Sequence, residues 1–254
     1  MRVTFLGTGA AMPTGERFQT GLLLEDHGVD ADSLLVDCGS GVLHGLAETP
    51  VGYEGVSTVL LTHHHLDHIS DLMALLKARW LAGETELTIV GPEGTESLVE
   101  GLFDVHEYMG GRFELSIREI GPGEHDVAGY GIEAVETVHS RYCLAYRFET
   151  EDAVFTFSAD TEATDAVAEL ADGSAVLAHD CSFPDGIDVE NHPTPSQLGE
   201  TLAGHEIGRV YLTHLYPHTD GHHEEMTESV EERFDGDVRV ARDGLTVDLR
   251  RQDE

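Results

Sequence analysis

Long apolar runs are missing from this sequence, which excludes a membrane-spanning helix: runs such as "STVLL" at 57–61 are far too short to cross a bilayer. The N-terminal "MRVTFLGTGAAMP" has no long apolar core and no cleavage-type ending, so it is not typical of a signal peptide. Cysteine is scarce. Cys38, Cys143 and Cys181 are widely spaced with no C-x-x-C pair, which excludes a disulfide framework and favours buried, reduced thiols. These absences predict a cytoplasmic protein.

Positive charge is also scarce. Lys77 is the only lysine, and 14 Lys and Arg residues stand against 49 Asp and Glu, a formal charge of −35. The acidic residues are spread along the chain, which favours an adaptation to the solvent over a contact with one partner. The composition resembles that of proteins from salt-loving cells, where concentrated salt screens self-repulsion. An ordinary acidic protein is the alternative. The charge argues against a nucleic-acid partner, but high salt weakens that argument.

Short β-like runs rich in Val, Leu, Ile, Phe and Thr alternate with helical patterns from end to end. Strands are predicted over 2–7, 20–25, 33–37, 57–62, 87–91, 114–120, 132–138, 142–149, 153–159, 175–180, 209–214 and 245–250. Helices are predicted over 70–81, 95–107, 162–172, 195–204 and 222–233. No linker divides the chain, so residues 1–254 are predicted to form a single domain. The alternation fits two packed sheets with helices outside, an α/β arrangement.

A polar cluster, "THHHLDH" at 62–68, directly follows an apolar strand. His63 and His65 are two apart, so on extended backbone they project from the same side. Asp67 and His68 follow as the chain turns toward the helix predicted to begin near residue 70. One short loop can therefore present ligands to two adjacent metal positions, while His64 is expected to point elsewhere.

Further ligands are expected at other strand ends, and three candidates stand there: His139 after "IEAVETV", Asp160 after "AVFTFSA", and His214 at the end of "RVYLTH". Imidazole nitrogen with carboxylate oxygen suits Zn²⁺, with Mn²⁺ or Fe²⁺ as alternatives. Two neighbouring metals need a shared anionic ligand, and Asp160 fits that role.

These motifs resemble those of the metallo-β-lactamase-fold hydrolases, whose signature is H-x-H-x-D-H and whose fold is a four-layer αββα sandwich. The resemblance implies two metal ions, with His63, His65 and His139 holding one, Asp67, His68 and His214 holding the other, and Asp160 bridging them. A homodimer is implied by the same resemblance.

The resemblance narrows to ribonuclease Z and its relatives through "FLGTGAAMPTGERFQTGLLLE", "LLVDCGSGV" and "HSRYCLAYRFE". That subgroup has a His-Glu pair near the leaving group; His192 matches the histidine, and Asp180 stands where the family has Glu. The subgroup also has a long, basic tRNA-gripping arm between the third-motif histidine and the bridging aspartate. His139 and Asp160 are only 21 residues apart, which leaves no room for the arm. Relatives without it include phosphodiesterases of small or cyclic nucleotides.

The predicted function is therefore phosphodiester hydrolysis on RNA or a small nucleotide. Asp67 is expected to orient the attacking hydroxide, His192 to protonate the departing oxygen, and Asp180 to orient His192. A glyoxalase II-like thioesterase, or another acyl hydrolase, is the main alternative. A β-lactamase is disfavoured because those enzymes have cysteine at the position of Asp160, and a di-iron redox protein because those members have Glu at the position of His65. A non-catalytic metal-binding protein usually has a broken site, whereas every expected ligand is present here.

Overall fold

The computed structural model describes residues 1–12, 14–26, 33–151, 153–187 and 189–249. Fourteen strands lie in these residues: β1 Arg2–Gly7, β2 Gly21–Glu25, β3 Ser33–Val36, β4 Val56–Leu60, β5 Glu86–Gly91, β6 Glu114–Glu119, β7 Gly123–Val127, β8 Tyr130–Glu136, β9 Leu144–Glu149, β10 Val154–Phe157, β11 Val176–Asp180, β12 Arg209–Thr213, β13 Asp237–Val240 and β14 Thr246–Asp248. The same residues contain seven α-helices: α1 Val42–Ala47, α2 Leu66–Ile69, α3 Leu72–Ala82, α4 Thr95–Val105, α5 Asp165–Ala171, α6 Pro195–Leu202 and α7 His223–Glu231.

The strands form two seven-stranded sheets of similar design. The first has the order β14-β1-β2-β3-β4-β5-β6, and the second has the order β13-β12-β11-β10-β9-β8-β7. Each sheet is antiparallel over one part and parallel over the other: β3 to β6 run parallel in the first, and β10 to β13 run parallel in the second. Parallel strands end at the same edge of a sheet, so the loops that follow them gather there.

The main core lies between the two sheets. Phe5 and Leu22 of the first sheet belong to the same buried cluster as Tyr146, Phe148 and Phe155 of the second. Alternate residues of the strands face the other way, and there they pack against helices. Helices α1, α3 and α4 cover the first sheet, and α5, α6 and α7 cover the second. The predicted αββα sandwich is confirmed.

Four short elements were not predicted. Strand β13 has four residues, and β7 reads "GEHDV", which has little apolar character. Helix α1 has six residues and contains Gly45, and α2 has four. Elements this short span too few residues for a periodic pattern to show. The last predicted strand, 245–250, is observed as β14, and its final residue lies outside the described residues.

None of the helices in the described part of the chain combines the length and the apolar character needed to cross a membrane.

Candidate metal centre

The predicted ligands lie in loops that follow strand ends on one edge of the sandwich. His63, His65, Asp67 and His68 follow β4, His139 follows β8, Asp160 follows β10, and His214 follows β12. Strands β3 and β4 are parallel, as are β10, β11 and β12, so these loops converge although the residues are up to 151 positions apart. The sheet topology therefore brings the seven side chains together, and they form what we call the metal cluster.

The "THHHLDH" segment turns earlier than predicted. The helix expected near residue 70 is preceded by α2, which begins at Leu66, so Asp67 and His68 lie on a helical turn instead of on an approach to one. Gly39 makes room for this turn: a Cβ atom at Gly39 would lie 2.1 Å from the carbonyl oxygen of Asp67. Only glycine allows the loop after β3 to pack so closely against the segment.

One group of donor atoms comprises His63, His65, His139 and Asp160. The Nδ1 atom of His65 lies 3.0 Å from His63 Nε2 and 3.1 Å from His139 Nε2. Oδ2 of Asp160 lies 3.6 Å from His63 Nε2 and 3.7 Å from His139 Nε2. Tetrahedral ligands with Zn–N bonds of about 2.0–2.1 Å stand roughly 3.3 Å apart, so these separations suit a tetrahedral ion.

The second group comprises Asp67, His68, Asp160 and His214. Oδ1 of Asp160 lies 3.3 Å from His68 Nε2, and its Oδ2 lies 3.2 Å from His214 Nε2. Oδ2 of Asp67 lies 3.7 Å from His68 Nε2 and 3.8 Å from His214 Nε2. Asp160 is thus the one residue present in both groups, as expected of a bridging carboxylate.

Two buried atoms of the cluster fit a cation. Neither His68 Nε2 nor Asp160 Oδ1 has a hydrogen-bond partner within the described residues, although both are fully buried. Buried polar atoms are rarely left unpaired unless an ion or water satisfies them. Five imidazoles and two carboxylates form a donor set suited to divalent ions such as Zn²⁺, Mn²⁺ or Fe²⁺. The residues therefore fit a divalent metal site, while the role of each as a ligand remains a prediction.

Electrostatics within the cluster point the same way. Burial raises the pKa of Asp160, but His214, His68 and His63 lower it well below its usual value. Burial lowers the pKa of His68, yet Asp160 and Asp37 raise it well above the ordinary value. Burial, followed by the charge of His68, lowers the pKa of His63 well below normal. A proton on His68 and a metal ion would each supply positive charge to the buried carboxylates, so protons and metal ions are expected to compete for this site.

Residues outside the two groups orient the histidines. Oδ2 of Asp37 accepts a hydrogen bond of 2.7 Å from His68 Nδ1, and Asp37 also accepts from the backbone N–H and the hydroxyl of Thr62. The Thr20 hydroxyl lies 3.0 Å from His214 Nδ1. Such outer contacts fix which ring nitrogen faces a metal. The sequence reasoning missed both residues; Asp37, an aspartate at a strand end like Asp160, could have been found by the same rule.

Four non-glycine residues at the site have positive φ: Asp37 at 60°, Ala159 at 53°, Asn191 at 74° and His214 at 58°. Such backbone costs about 1–3 kcal/mol for each residue and persists only where the surroundings enforce it. At Asp37 and His214 the conformation brings the side chain onto the metal cluster. The placement of these groups therefore costs conformational free energy, which the surrounding structure must offset.

The structure also brings together His192 and Asp180, which are 12 residues apart. Nδ1 of His192 donates a 2.7 Å hydrogen bond to Asp180 Oδ2, and the Asp180 carboxylate is fully buried. The Ser182 hydroxyl donates to Asp180 Oδ1 at 2.7 Å. Burial lowers the pKa of His192, but Asp180 raises it to about 9, so the ring is protonated at neutral pH. The His192 ring centroid lies 5.5 Å from those of His139 and His214, so its side chain borders the cluster.

His64 is in neither group. Its Nε2 atom hydrogen bonds with Thr95 Oγ1 at 2.9 Å, so the ring lies against the start of α4. The ligand atoms instead open into a cavity of about 380 Å³, which the side chain of Tyr216 also lines. Burial and the charges of Asp67, Asp160 and Asp180 raise the pKa of Tyr216 to about 12, so its hydroxyl keeps its proton.

A short hairpin occupies the place in the chain where ribonuclease Z has its tRNA-gripping arm. Strands β9 and β10 are antiparallel neighbours, and residues 150–153 alone connect them. In this interval, the described residues between His139 and Asp160 are taken up by the hairpin and the loops at its ends. The prediction that this chain has no inserted arm at that place is confirmed.

Comparisons with known proteins agree with this geometry. The family model described as anti-Pycsar protein Apyc1 matches residues 1–231. A ribonuclease Z from Mycobacterium avium is 30% identical over 272 residues, covering 96% of each chain. A ribonuclease Z from Halorubrum lacusprofundi is 26% identical over 310 residues, covering 98% of this chain and 97% of that protein.

Among solved structures, the metallo-β-lactamase-fold protein YhfI from Bacillus subtilis superposes with a TM-score of 0.83 at 24% identity, covering 97% of this chain and 98% of YhfI. That likeness establishes the fold. The chain belongs to the family that the Apyc1 model describes, and it is a ribonuclease Z-like, metal-dependent hydrolase of the metallo-β-lactamase fold.

Proposed function

We propose that the chain hydrolyses phosphodiester bonds and that small or cyclic nucleotides are its substrates in preference to tRNA. The observation that carries the proposal is the position of Asp160 between two groups of donor atoms, with the hydrogen-bonded His192–Asp180 pair beside them. This arrangement combines a site for two cations with a protonated group that can serve a leaving oxygen.

Each residue has a distinct task in this proposal. The proposed metal ligands are His63, His65, Asp67, His68, His139, Asp160 and His214. When bound, two divalent cations lower the pKa of water and neutralise charge on phosphoryl oxygens. Asp67 orients the attacking water. His192 donates its proton to the departing oxygen, and Asp180 holds the His192 ring in place and keeps it protonated.

The size of the site supports small substrates. A cavity of about 380 Å³ lies within the range of small-molecule pockets. The alignment with the Halorubrum relative spans 310 positions, more than the 254 residues of this chain, so that relative contains segments that this chain lacks. The chain also has 14 basic residues against 49 acidic ones, few for holding the phosphates of a long RNA.

The remaining features follow from the same arguments. We propose zinc as the native metal, with manganese or iron as alternatives, because the donor spacing suits a tetrahedral ion. The dispersed acidic charge supports an origin in salt-loving cells. A cytoplasmic location, a lack of membrane contact, a single domain over residues 1–254 and a homodimer complete the proposal.

A thioesterase on the same fold gains no support from the site. A thiolate leaves without being protonated, because the pKa of a thiol is about 8.5. Thioester cleavage would therefore give the His192–Asp180 pair no task at the leaving group. An alkoxide leaving from phosphorus does need a proton, which this pair can supply.

The test compares substrates on one sample with measured metal content. The full chain, loaded with Zn²⁺ or Mn²⁺ in concentrated KCl, is assayed against bis-(p-nitrophenyl) phosphate and a glutathione thioester. We expect turnover of the phosphodiester alone; faster cleavage of the thioester would contradict the proposal. A panel of cyclic nucleotides, short RNA and precursor tRNA then separates the substrate classes, and preferential cleavage of precursor tRNA would refute the preference for small substrates.

A further inference from the structure

The wall of the cavity above the metal cluster contains residues to which the proposed reaction assigns no task. Tyr216 and Asn191 line this cavity together with Leu66 and Ala11. A phosphodiester whose phosphoryl group meets the metal cluster must place the rest of the molecule against this wall. The chemistry of the wall therefore indicates what that remainder is.

Tyr216 presents a fixed aromatic ring. Its ring stacks on Phe183, with centroids 4.7 Å apart and an interplanar angle of 21°. Phe183 is buried, and the rings of His192 and His214 stand edge-on to Tyr216 at 6.0 and 6.1 Å. Phe183 thus covers one face of Tyr216 and supports it, while the residue remains half-buried at the cavity. A supported aromatic plane is what a flat π system stacks on.

Asn191 presents a neutral donor and acceptor. Its backbone N–H donates a 3.0 Å hydrogen bond to Glu162 Oε1, and its carbonyl oxygen lies 3.4 Å from His139 Nδ1. These contacts hold the residue at a φ of 74°. In the part of the chain that the structure describes, its carboxamide has no hydrogen-bond partner, although the residue lines the cavity. A carboxamide offers the paired donor and acceptor that the edge of a nucleobase requires.

We propose that Tyr216 and Asn191 form a nucleobase subsite, with the base stacked on Tyr216 and its edge hydrogen bonded to the Asn191 carboxamide. The proposal deepens the proposed function and rests on it for the position of the phosphate. An acyl chain would pack equally well against Leu66 and Ala11, but it would displace water from the half-exposed carboxamide without replacing the hydrogen bonds of that water. A base satisfies both groups, so the subsite selects nucleotides over other phosphodiesters.

The test measures binding rather than turnover. The metal-loaded full chain is titrated by calorimetry with adenosine 5′-monophosphate and with ribose 5-phosphate, in which a hydroxyl at C1 replaces the base. We expect the nucleotide to bind at least about fivefold more tightly, as base stacking on one aromatic ring implies. Tyr216→Leu should remove most of this difference and leave ribose 5-phosphate unchanged, whereas Tyr216→Phe should retain it. Tyr108→Leu is the matched control, because Tyr108 is an exposed tyrosine in the short 3-10 helix Glu107–Met109 that follows α4, and it is not among the residues that line the cavity.

A second variant tests the carboxamide. Asn191→Gly removes the side chain and keeps a residue that accepts positive φ. It should weaken nucleotide binding by about two- to tenfold, the range for one hydrogen bond, without changing ribose 5-phosphate binding. A thermal melt of each variant checks that it is folded.

Three results would overturn the subsite: equal affinity for the two ligands, no measurable binding of either, or discrimination that survives Tyr216→Leu. Because the readout is binding, the two proposals fail separately. A chain that discriminates between the ligands but cleaves no phosphodiester refutes the proposed function alone, and a chain that cleaves phosphodiesters without discriminating refutes the subsite alone.

Discussion

Four of the five histidines in the metal cluster have a polar neighbour on the ring nitrogen that faces away from it. His68 Nδ1 donates to Asp37, His214 Nδ1 meets Thr20, His63 Nδ1 meets Thr62, and His139 Nδ1 meets the Asn191 carbonyl. In each, Nε2 is left to face the cluster. His65 differs, because its Nδ1 atom faces inward. The orientation of each of these four rings is therefore set by its own polar neighbour.

Asp67→Ala tests the role of a single carboxylate. We expect turnover to fall by about 10²–10⁴-fold, the usual contribution of a group that orients or deprotonates the attacking water. Activity is measured together with metal content by mass spectrometry, because Asp67 is also a proposed ligand. The first group of donors, without Asp67, should still retain one metal equivalent.

His64→Ala is the matched control for that experiment. His64 belongs to the same loop, but it hydrogen bonds to Thr95 and lies in neither group. It should keep both metals and nearly all turnover. Near-normal activity in Asp67→Ala with full metal content would contradict the assignment of Asp67.

His192→Ala tests proton donation through the choice of leaving group. On a dinucleoside monophosphate, whose departing alkoxide needs a proton, turnover should fall by about 10²–10⁴-fold. On bis-(p-nitrophenyl) phosphate the loss should be small, because p-nitrophenolate departs unprotonated. An equal loss on both substrates would indicate that His192 only shapes the site.

Asp180→Asn tests proton donation by His192 through the pH dependence of turnover. Protonated His192 is the active form, so turnover of the dinucleotide should fall as pH rises through its pKa, which Asp180 raises to about 9. Without the carboxylate that pKa falls, and the alkaline limb of the kcat profile should move to lower pH. The profile is measured from pH 6 to 10 on the dinucleotide, and an unmoved limb would count against the pair.

At the scale of elements, helix α6 anchors the loop that carries His192. The Thr194 side chain accepts from Gln197 N, and the Gln197 side chain accepts from Thr194 N at 2.9 Å, forming a capping box with Pro195 in the first turn. His192 lies two residues before this cap. The cap therefore fixes where the chain enters the helix and, with it, the approach of His192 to Asp180.

Thr194→Ala should lower the free energy of unfolding by about 1 kcal/mol, and the melting temperature by about 2–4 °C in a chain of this size. It should also lower turnover of the dinucleotide, because the loop before α6 loosens. Thr164→Ala is the control: the Thr164 side chain caps α5, and no residue of α5 belongs to either group of donor atoms. That variant should lose stability and keep its turnover. If both variants had equal turnover, the prediction that the Thr194 cap positions His192 would be wrong.

At the scale of the whole molecule, net negative charge is the main influence on stability. A formal charge of −35 on 254 residues produces self-repulsion that destabilises the compact state. Salt shortens the Debye length from about 10 Å at 0.1 M to about 3 Å at 1 M. The free energy of unfolding should therefore depend strongly on ionic strength. Interactions among the buried charges of the metal cluster are screened much less.

Raising KCl from 0.1 M to 2 M should increase the melting temperature by at least about 5 °C, which corresponds to roughly 2 kcal/mol in a chain of this size. Sucrose at equal osmolality is the control, because it favours compact states without screening charge. Thermal melts followed by circular dichroism give the comparison. Equal shifts in both solutes, or none in KCl, would argue against an adaptation to salt.

The layers of the fold and the candidate ligands could be predicted from the sequence alone. Periodicity marks where strands end, and polar residues directly after those ends, such as Asp160 and His214, are brought to one edge by parallel strands. The spacing of His139 and Asp160 also excluded the inserted arm, because chain length between two fixed points needs no tertiary information.

How these residues meet depends on the tertiary fold. Asp160 lies between both groups because the two sheets pack face to face. No local pattern encodes that His63 and His214 both approach Asp160, at 3.6 and 3.2 Å. Thr20, Tyr216 and Asn191 could not be predicted for the same reason: a single polar or aromatic residue carries no periodicity, and its task depends on which neighbours the fold brings to it. Asp37 differs, because it stands directly after strand β3 and the rule that found Asp160 applies to it as well.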